Sequence, residues 1–248
     1  MNILASAGEQ CARLLDEKVR NVTVKQCEVD ELYSFVRTRP DNTEADDEEH
    51  GEFFLYLSLD RDSKLILNHL VAKRNGDNCR VFLKDLRARI AGRCQLSTDG
   101  WKPYAGGRYN TSAVYHAFGD DVDHGTEIKQ FGNVVSRVGT NKPVPRRFNP
   151  IVCKWVKRTA RIGNPDPAQI NTSRAERLNL SVRIFNGRFT RLTLGYSKTL
   201  ENHKAAAALF TAHYNFCRVH SAHSKTPAQS AGVTDRVWSA NDLISNLA

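Results

Sequence analysis

The 248 residues carry 36 Lys and Arg against 27 Asp and Glu, a formal charge of +9, with 40% apolar residues. That length and apolar share support one large domain, or one with appendages, around a real core. The positive excess favours a polyanionic partner, of which DNA or RNA is the common one. No apolar run approaches the ~20 residues of a membrane span, no basic-then-apolar leader opens the chain, and the six scattered cysteines contain no C-x2-C pair. The expectation is a soluble, cytoplasmic protein with free thiols.

In chain order, residues 1–21 read as a residual linker helix with modest apolar content at Ala12, Leu14, Leu15 and Val19. Residues 22–36 form a strand rich in β-branched and aromatic side chains. Strand side chains alternate, so adjacent Asp30 and Glu31 point to opposite faces and only one can join a shared site. Cys27 and Val29 share the parity of Glu31, which sends Asp30 the other way. Residues 41–52 hold seven acids and no Lys or Arg, a solvated loop. Residues 53–59 and 64–71 read as paired strands across the turn Asp60-Arg61-Asp62-Ser63, where Asp side chains cap the turn locally.

A helix opening at Asn75 or Gly76 places Cys79, Phe82, Leu83, Leu86 and Ile90 on one face. Gly92 ends it, and residues 94–98 are the next strand. Residues 111–118 form a second helix and 127–136 a fifth strand. Three strands, a helix and a strand follow the order of the ribonuclease H-like fold. The expected class is therefore α/β: a mixed five-stranded sheet flanked by helices, with a helical C-terminal portion. Residues 22–220 make the main domain, 137–172 a basic insertion or loop within it, and 221–248 a C-terminal tail.

Between residues 137 and 161 eight Lys and Arg occur with no acid, interrupted by Pro143, Pro145 and Pro150. Arg146, Arg147, Lys154, Lys157 and Arg158, interleaved with Phe148 and Trp155, suit backbone phosphates with some stacking. Ser173 opens a helix whose apolar stripe runs through Leu178, Val182, Phe185, Phe189 and Leu192, with Glu176, Arg183 and Gly187 opposite. A further helix spans 203–220.

Asp30 at one strand end, Asp99 at another and Glu176 in a first helical turn are what a two-metal phosphoryl-transfer site needs. Mg2+ takes a few carboxylates plus waters and substrate phosphate, so three acids suffice. Each has an ordinary alternative. Asp30 is also a solvent-facing strand end, Asp99-Gly100 a turn, and Ser173…Glu176 a capping box. Trp101 either stacks on a base near the cut or packs in the core.

Three stretches resemble the DDE-type transposases of bacterial insertion sequences. They are residues 27–36 (CEVDELYSFV), residues 95–104 (QLSTDGWKPY), and residues 163–167 (GNPDP) running into 172–180 (TSRAERLNL). Residues 214–220 (YNFCRVH) and Thr226-Pro227 resemble that family's C-terminal pattern. The resemblance implies a ribonuclease H-like DDE catalytic domain with Asp30, Asp99 and Glu176 as catalytic residues and ligands of two Mg2+ ions, Mn2+ substituting. It implies cleavage at the ends of a mobile element and transfer of the freed 3′-hydroxyl into target DNA. Arg177 and Arg183 become candidates for phosphate contacts, Asn179 for orienting Glu176 or a DNA group, and a homo-oligomer on paired ends the expected assembly. Relatives usually carry an upstream DNA-binding unit, for which residues 1–21 offer no counterpart. The competing expectation is a truncated, non-catalytic copy that binds DNA or full-length transposase and inhibits transposition.

Overall fold

The computed structural model describes residues 2–39, 42–44, 47–106, 111–133, 151–190, 193–221 and 223–244. In chain order the elements are α1 (Ile3–Lys18), β1 (Val22–Thr23), β2 (Gln26–Val36), β3 (Gly51–Asp60), β4 (Ile66–Ala72), α2 (Gly76–Arg89), β5 (Ile90–Ala91) and β6 (Gln95–Thr98). Then follow α3 (Lys102–Ala105), α4 (Ala113–Phe118), β7 (Asp123–Asn133), β8 (Ile151–Ile162), α5 (Ser173–Phe185), α6 (Leu200–Ala212), α7 (Pro227–Ser230) and α8 (Ala240–Ile244). Among the described residues no helix is long and apolar enough to cross a membrane.

The main sheet has six strands in the order β4-β3-β2-β6-β7-β8, and β1 and β5 pair separately. Strands β2, β3 and β4 are antiparallel neighbours; β6 runs parallel to both β2 and β7; β8 returns antiparallel to β7. The mixed α/β expectation holds, but the strand count is corrected from five to six. Residues 151–162, expected as part of a basic loop, form the added edge strand. The prolines end at Pro150, and the run that follows is rich in β-branched side chains, so nothing in it opposes a strand.

One apolar cluster lies against each face of the sheet. Cys27, Val29 and Tyr56 face the first, with Phe82 and Leu86 of α2 and Cys11, Leu15 and Val19 of α1. Leu32, Leu55 and Leu57 face the second, with Leu178 and Val182 of α5 and Ala206 and Ala207 of α6. Full burial of a side chain such as Phe82 contributes roughly 2–3 kcal/mol. Helix α1 thus shares the core with the strands. Arg89 fastens it from α2, donating to the carbonyls of Leu15 and Val19 and to Asp16 and Asp85. The tail after residue 220 also packs inward, through Leu243 and through Trp238 against Phe216.

Helix α5 is shorter than its apolar stripe implies. It stops at Phe185, which is 62% exposed, and Phe189 reaches the core from a separate 3-10 turn at Gly187–Phe189. Asn186 ends the helix in extended backbone and its side chain accepts the N–H of Arg188, so the register of the stripe breaks there. Leu192 lies outside the described residues.

The α1–α6 seam depends on a missing side chain. A Cβ on Gly8 would stand 2.4 Å from both Cα and Cβ of Ala205. Gly8→Ala should therefore force the helices apart and cost about 1–3 kcal/mol, the range of core overpacking. Gly187→Ala, where a Cβ meets nothing within 4 Å, is the control. Equal urea midpoints for the two variants would show that the seam is not close-packed.

Candidate active site

The site is built on the union of β2 with α5. Glu28, 1% exposed, accepts the N–H groups of Arg174 (2.8 Å) and Ala175 (3.0 Å) at the start of α5. A carboxylate 146 residues away in sequence thus satisfies two of the helix's first donors and opposes the positive end of its dipole. The expected capping box is corrected. Thr172 precedes the helix without a side-chain cap hydrogen bond, Ser173 is already its first residue, and the Ser173 N–H goes to the side chain of Asn171 at 2.7 Å. Burial raises the pKa of Glu28, while the two N–H groups and Arg61 pull it back.

Two residues along β2, Asp30 takes the same face. Its Oδ2 accepts from Asn179 Nδ2 of α5 at 2.8 Å and its Oδ1 from the N–H of Glu31 at 2.9 Å. Glu31 points the other way, as the alternation requires, and accepts from the Tyr104 hydroxyl and from Arg74 at 3.0 and 3.1 Å. Burial first, then the charge of Glu31, pushes the Asp30 carboxyl up to about 7; the N–H of Glu31 opposes this, and Asp99 and Glu176 add to it. Glu31 also rises to about 7, through burial and then Asp99.

Asp99 follows β6 and makes the turn that the Asp-Gly pair suggests. Its Oδ1 accepts the N–H of Trp101 at 2.8 Å, which makes the turn, and its Oδ2 lies 3.6 Å from Arg74 Nη2. The turn closes tightly over β7, since a Cβ on Gly100 would fall 2.7 Å from Ile128 Cγ1. Trp101 is core packing: edge-on to Tyr104, beside Tyr56, with the Arg74 guanidinium 4.1 Å above its ring.

Glu176 faces β7. Lys129 donates to it at 2.5 Å and lies 3.1 Å from Glu127, which is also 3.1 Å from Arg158 of β8. Thr172 donates to the same Glu176 oxygen at 3.0 Å. Burial opposes the Lys129 charge, but its two carboxylates outweigh that and hold it above its usual range. An alternating chain, Arg158–Glu127–Lys129–Glu176, therefore neutralises the third acid.

Asp30, Asp99 and Glu176 stand on three separate segments, and the charges of Asp99 and Glu176 add to the raised pKa of Asp30. Each is held by a nitrogen donor. Among the described residues, no three or more His, Cys, Asp or Glu side chains are grouped so as to hold a metal ion. Of the expected phosphate contacts, Lys154 and Lys157 are exposed on β8, while Arg158 is tied to Glu127. Arg177 is exposed on another face of α5, lining a groove with Arg174 and Arg218, and Arg183 lies one helical turn beyond Asn179. Arg146 and Arg147 lie outside the described residues. Sequence reading missed Glu28, Arg74 and Lys129. The parity of Glu28 with Asp30 was the available signal for the first; the others are bound by contacts across the fold. No protein-family model matches the chain, and no curated protein matches it.

A carboxyl whose folded pKa is raised favours the fold below the ordinary carboxylate range and loses that contribution as pH rises through about 7. In chelator, the contribution of Asp30 to stability should fall from pH 4 to 8, against the opposite trend from buried His69, His124 and His203, whose pKa values burial lowers. Asp30→Asn should raise stability at pH 8 by more than about 1 kcal/mol, because Asn179 can flip its amide and present the carbonyl oxygen that now has no partner. Equal destabilisation of this variant at both pH values would contradict the assignment.

Proposed function

We propose that this chain is the catalytic domain of a DDE-type DNA transposase with a ribonuclease H-like fold. The carrying observation is that Asp30 of β2 is buried against α5, held by Asn179 at 2.8 Å, with the charges of Asp99 after β6 and Glu176 in the first turn of α5 adding to its raised pKa. The strand arrangement, three antiparallel neighbours followed by a parallel pair, supports the fold reading. The basic exposed face of β8 supports DNA as the substrate.

The donor set suits Mg2+ or Mn2+ in kind, since all three ligands are hard carboxylate oxygens and their mutual repulsion favours an added cation. Asp30, Asp99 and Glu176 would hold the ions, which supply a lowered pKa for an oxygen nucleophile and relief of charge on the leaving oxygen. Asn179 fixes the Asp30 carboxylate against α5. Lys129 neutralises Glu176 until the carboxylate is needed, and faces an incoming phosphate once displaced. The overall reaction is hydrolysis at an element end, then attack of the freed 3′-oxygen on a target phosphorus; a new P–O bond forms as the target's own 3′-oxygen leaves. Paired element ends would call for a homo-oligomer.

A second reading, a non-catalytic copy that binds DNA or full-length transposase and inhibits it, is favoured by the acids being engaged rather than converged. Strand transfer from labelled, pre-cut ends in Mn2+ separates the two. The wild type should join ends, and Asp99→Asn should lose at least about 100-fold, as expected when several kcal/mol of transition-state stabilisation is removed. No products from either protein would favour the inhibitor, and equal products would remove Asp99 from the site. Lys129→Met should bind Mn2+ about five-fold more tightly by calorimetry without DNA, because breaking a partly exposed ion pair costs about 1 kcal/mol. Unchanged affinity would mean that Lys129 does not compete for Glu176.

A further inference from the structure

On the side of α5 away from Glu176 lies a second feature with its own charge. A groove of about 590 Å3 is walled by the β3–β4 turn, α5 and the segment after α6. Lys64, Arg174, Arg177, Arg218 and His220 line it, and among the described residues no carboxylate does. An adjoining pocket of about 510 Å3 shares Lys64 and Arg174 and adds Lys25 and His223. The acids there, Asp60 and Asp62, stand at the turn, and Asp60 is occupied by the N–H and hydroxyl of Ser63.

The cations are held in place by other contacts. The backbone of Arg174 is bound by Glu28. Arg218 stacks on Phe185 at 4.5 Å and Tyr214 at 5.6 Å. Lys64 sits in left-handed backbone (φ 66°) and donates to the Arg61 carbonyl. Burial and then Arg174 hold the Lys64 ammonium below its usual range, with Asp62, Asp60 and Glu28 opposing. Burial, His223, Arg218 and Lys64 do the same to His220. The groove is thus a concentration of positive charge that repels itself. Because Glu28 and Asn171 take the N–H groups at the start of α5, any anion here would meet side chains.

We propose that this groove binds the sugar–phosphate backbone of DNA flanking the cut, as a tract separate from the β8 hairpin; this rests on the transposase reading. At 100° per residue, Arg174 is about 160° around α5 from Glu176, and Arg177 about 100°. A strand leaving the acids therefore reaches the cations by crossing one exposed helix, a distance of about 10 Å. Two basic surfaces on either side of three acids grip the backbone on both sides of the reacting phosphate and leave no freedom to slide.

The test is fluorescence anisotropy of full-length protein in chelator with a duplex of about 30 base pairs, roughly three helical turns, titrated at several salt concentrations. Each phosphate contact contributes about 0.9 to the salt slope, so Lys64→Gln/Arg174→Gln/Arg177→Gln should lower the slope by about 2–3 and weaken binding at least about 10-fold. Lys154→Gln/Lys157→Gln, on the hairpin, should lower it by about 2 at most. If the triple variant melts early, Arg177→Glu decides, since one exposed side chain carries the same sign of effect. Wild-type binding with unchanged groove variants would overturn the groove and leave the transposase reading standing. A wild type that transfers strands but gives no salt-dependent binding would also overturn the groove alone. Failure of both binding and strand transfer would remove both.

Discussion

A buried carboxylate holding the start of a helix is the constraint on which the site depends. Glu28 fixes α5 to β2 by its first free N–H groups, and the alternation of β2 then brings Asp30 to the same helix two residues later. Asn179 completes the second tie between strand and helix. The carboxylate is costly to bury, as its raised pKa shows. That cost is offset by charge-assisted hydrogen bonds and the helix dipole. Were Glu28 shortened, α5 would keep its apolar stripe but lose its angular setting, and Glu176 would drift with it.

The neighbouring charges divide into two systems. On one face of the sheet, Arg74 serves Glu31 and stands near Asp99, while Tyr104 and Trp101 shield the group from water. On the other, the Arg158–Glu127–Lys129–Glu176 chain carries alternating charge from the edge strand to α5. Asp30 belongs to neither and has only neutral donors. Burial and the charge of Glu31 therefore act on it without a cation to oppose them, and an added cation would relieve both.

Much of this was legible in residue order. The parity of Asp30 and Glu31, the apolar face of α2, the turn at Asp60 and the strand before Asp99 follow from local rules. What escaped was set by distant contacts. The β8 strand was hidden by the prolines just before it and by its charge, which suggested a loop, although an exposed edge tolerates both. The end of α5 was hidden because the apolar rhythm continues into Phe189 across a break made by Asn186. Arg74 and Lys129 gave no signal because nothing near them in sequence names their carboxylate partners. Of the candidate site, the acids were visible and their restraints were not.

Among the described residues, strand β8 has a hydrogen-bonded neighbour on one side only. It exposes Ile151, Val152, Trp155 and Val156 between its basic residues. Such an edge is a template for strand pairing between copies, and charged side chains are what keep it single. Lys154 and Lys157 therefore guard against aggregation whatever they bind. Their repulsion is largely screened beyond a Debye length of about 8 Å at 0.15 M salt, and is lost where a polyanion neutralises them. The tendency of this edge to pair is accordingly a property of its ionic surroundings as much as of its fold.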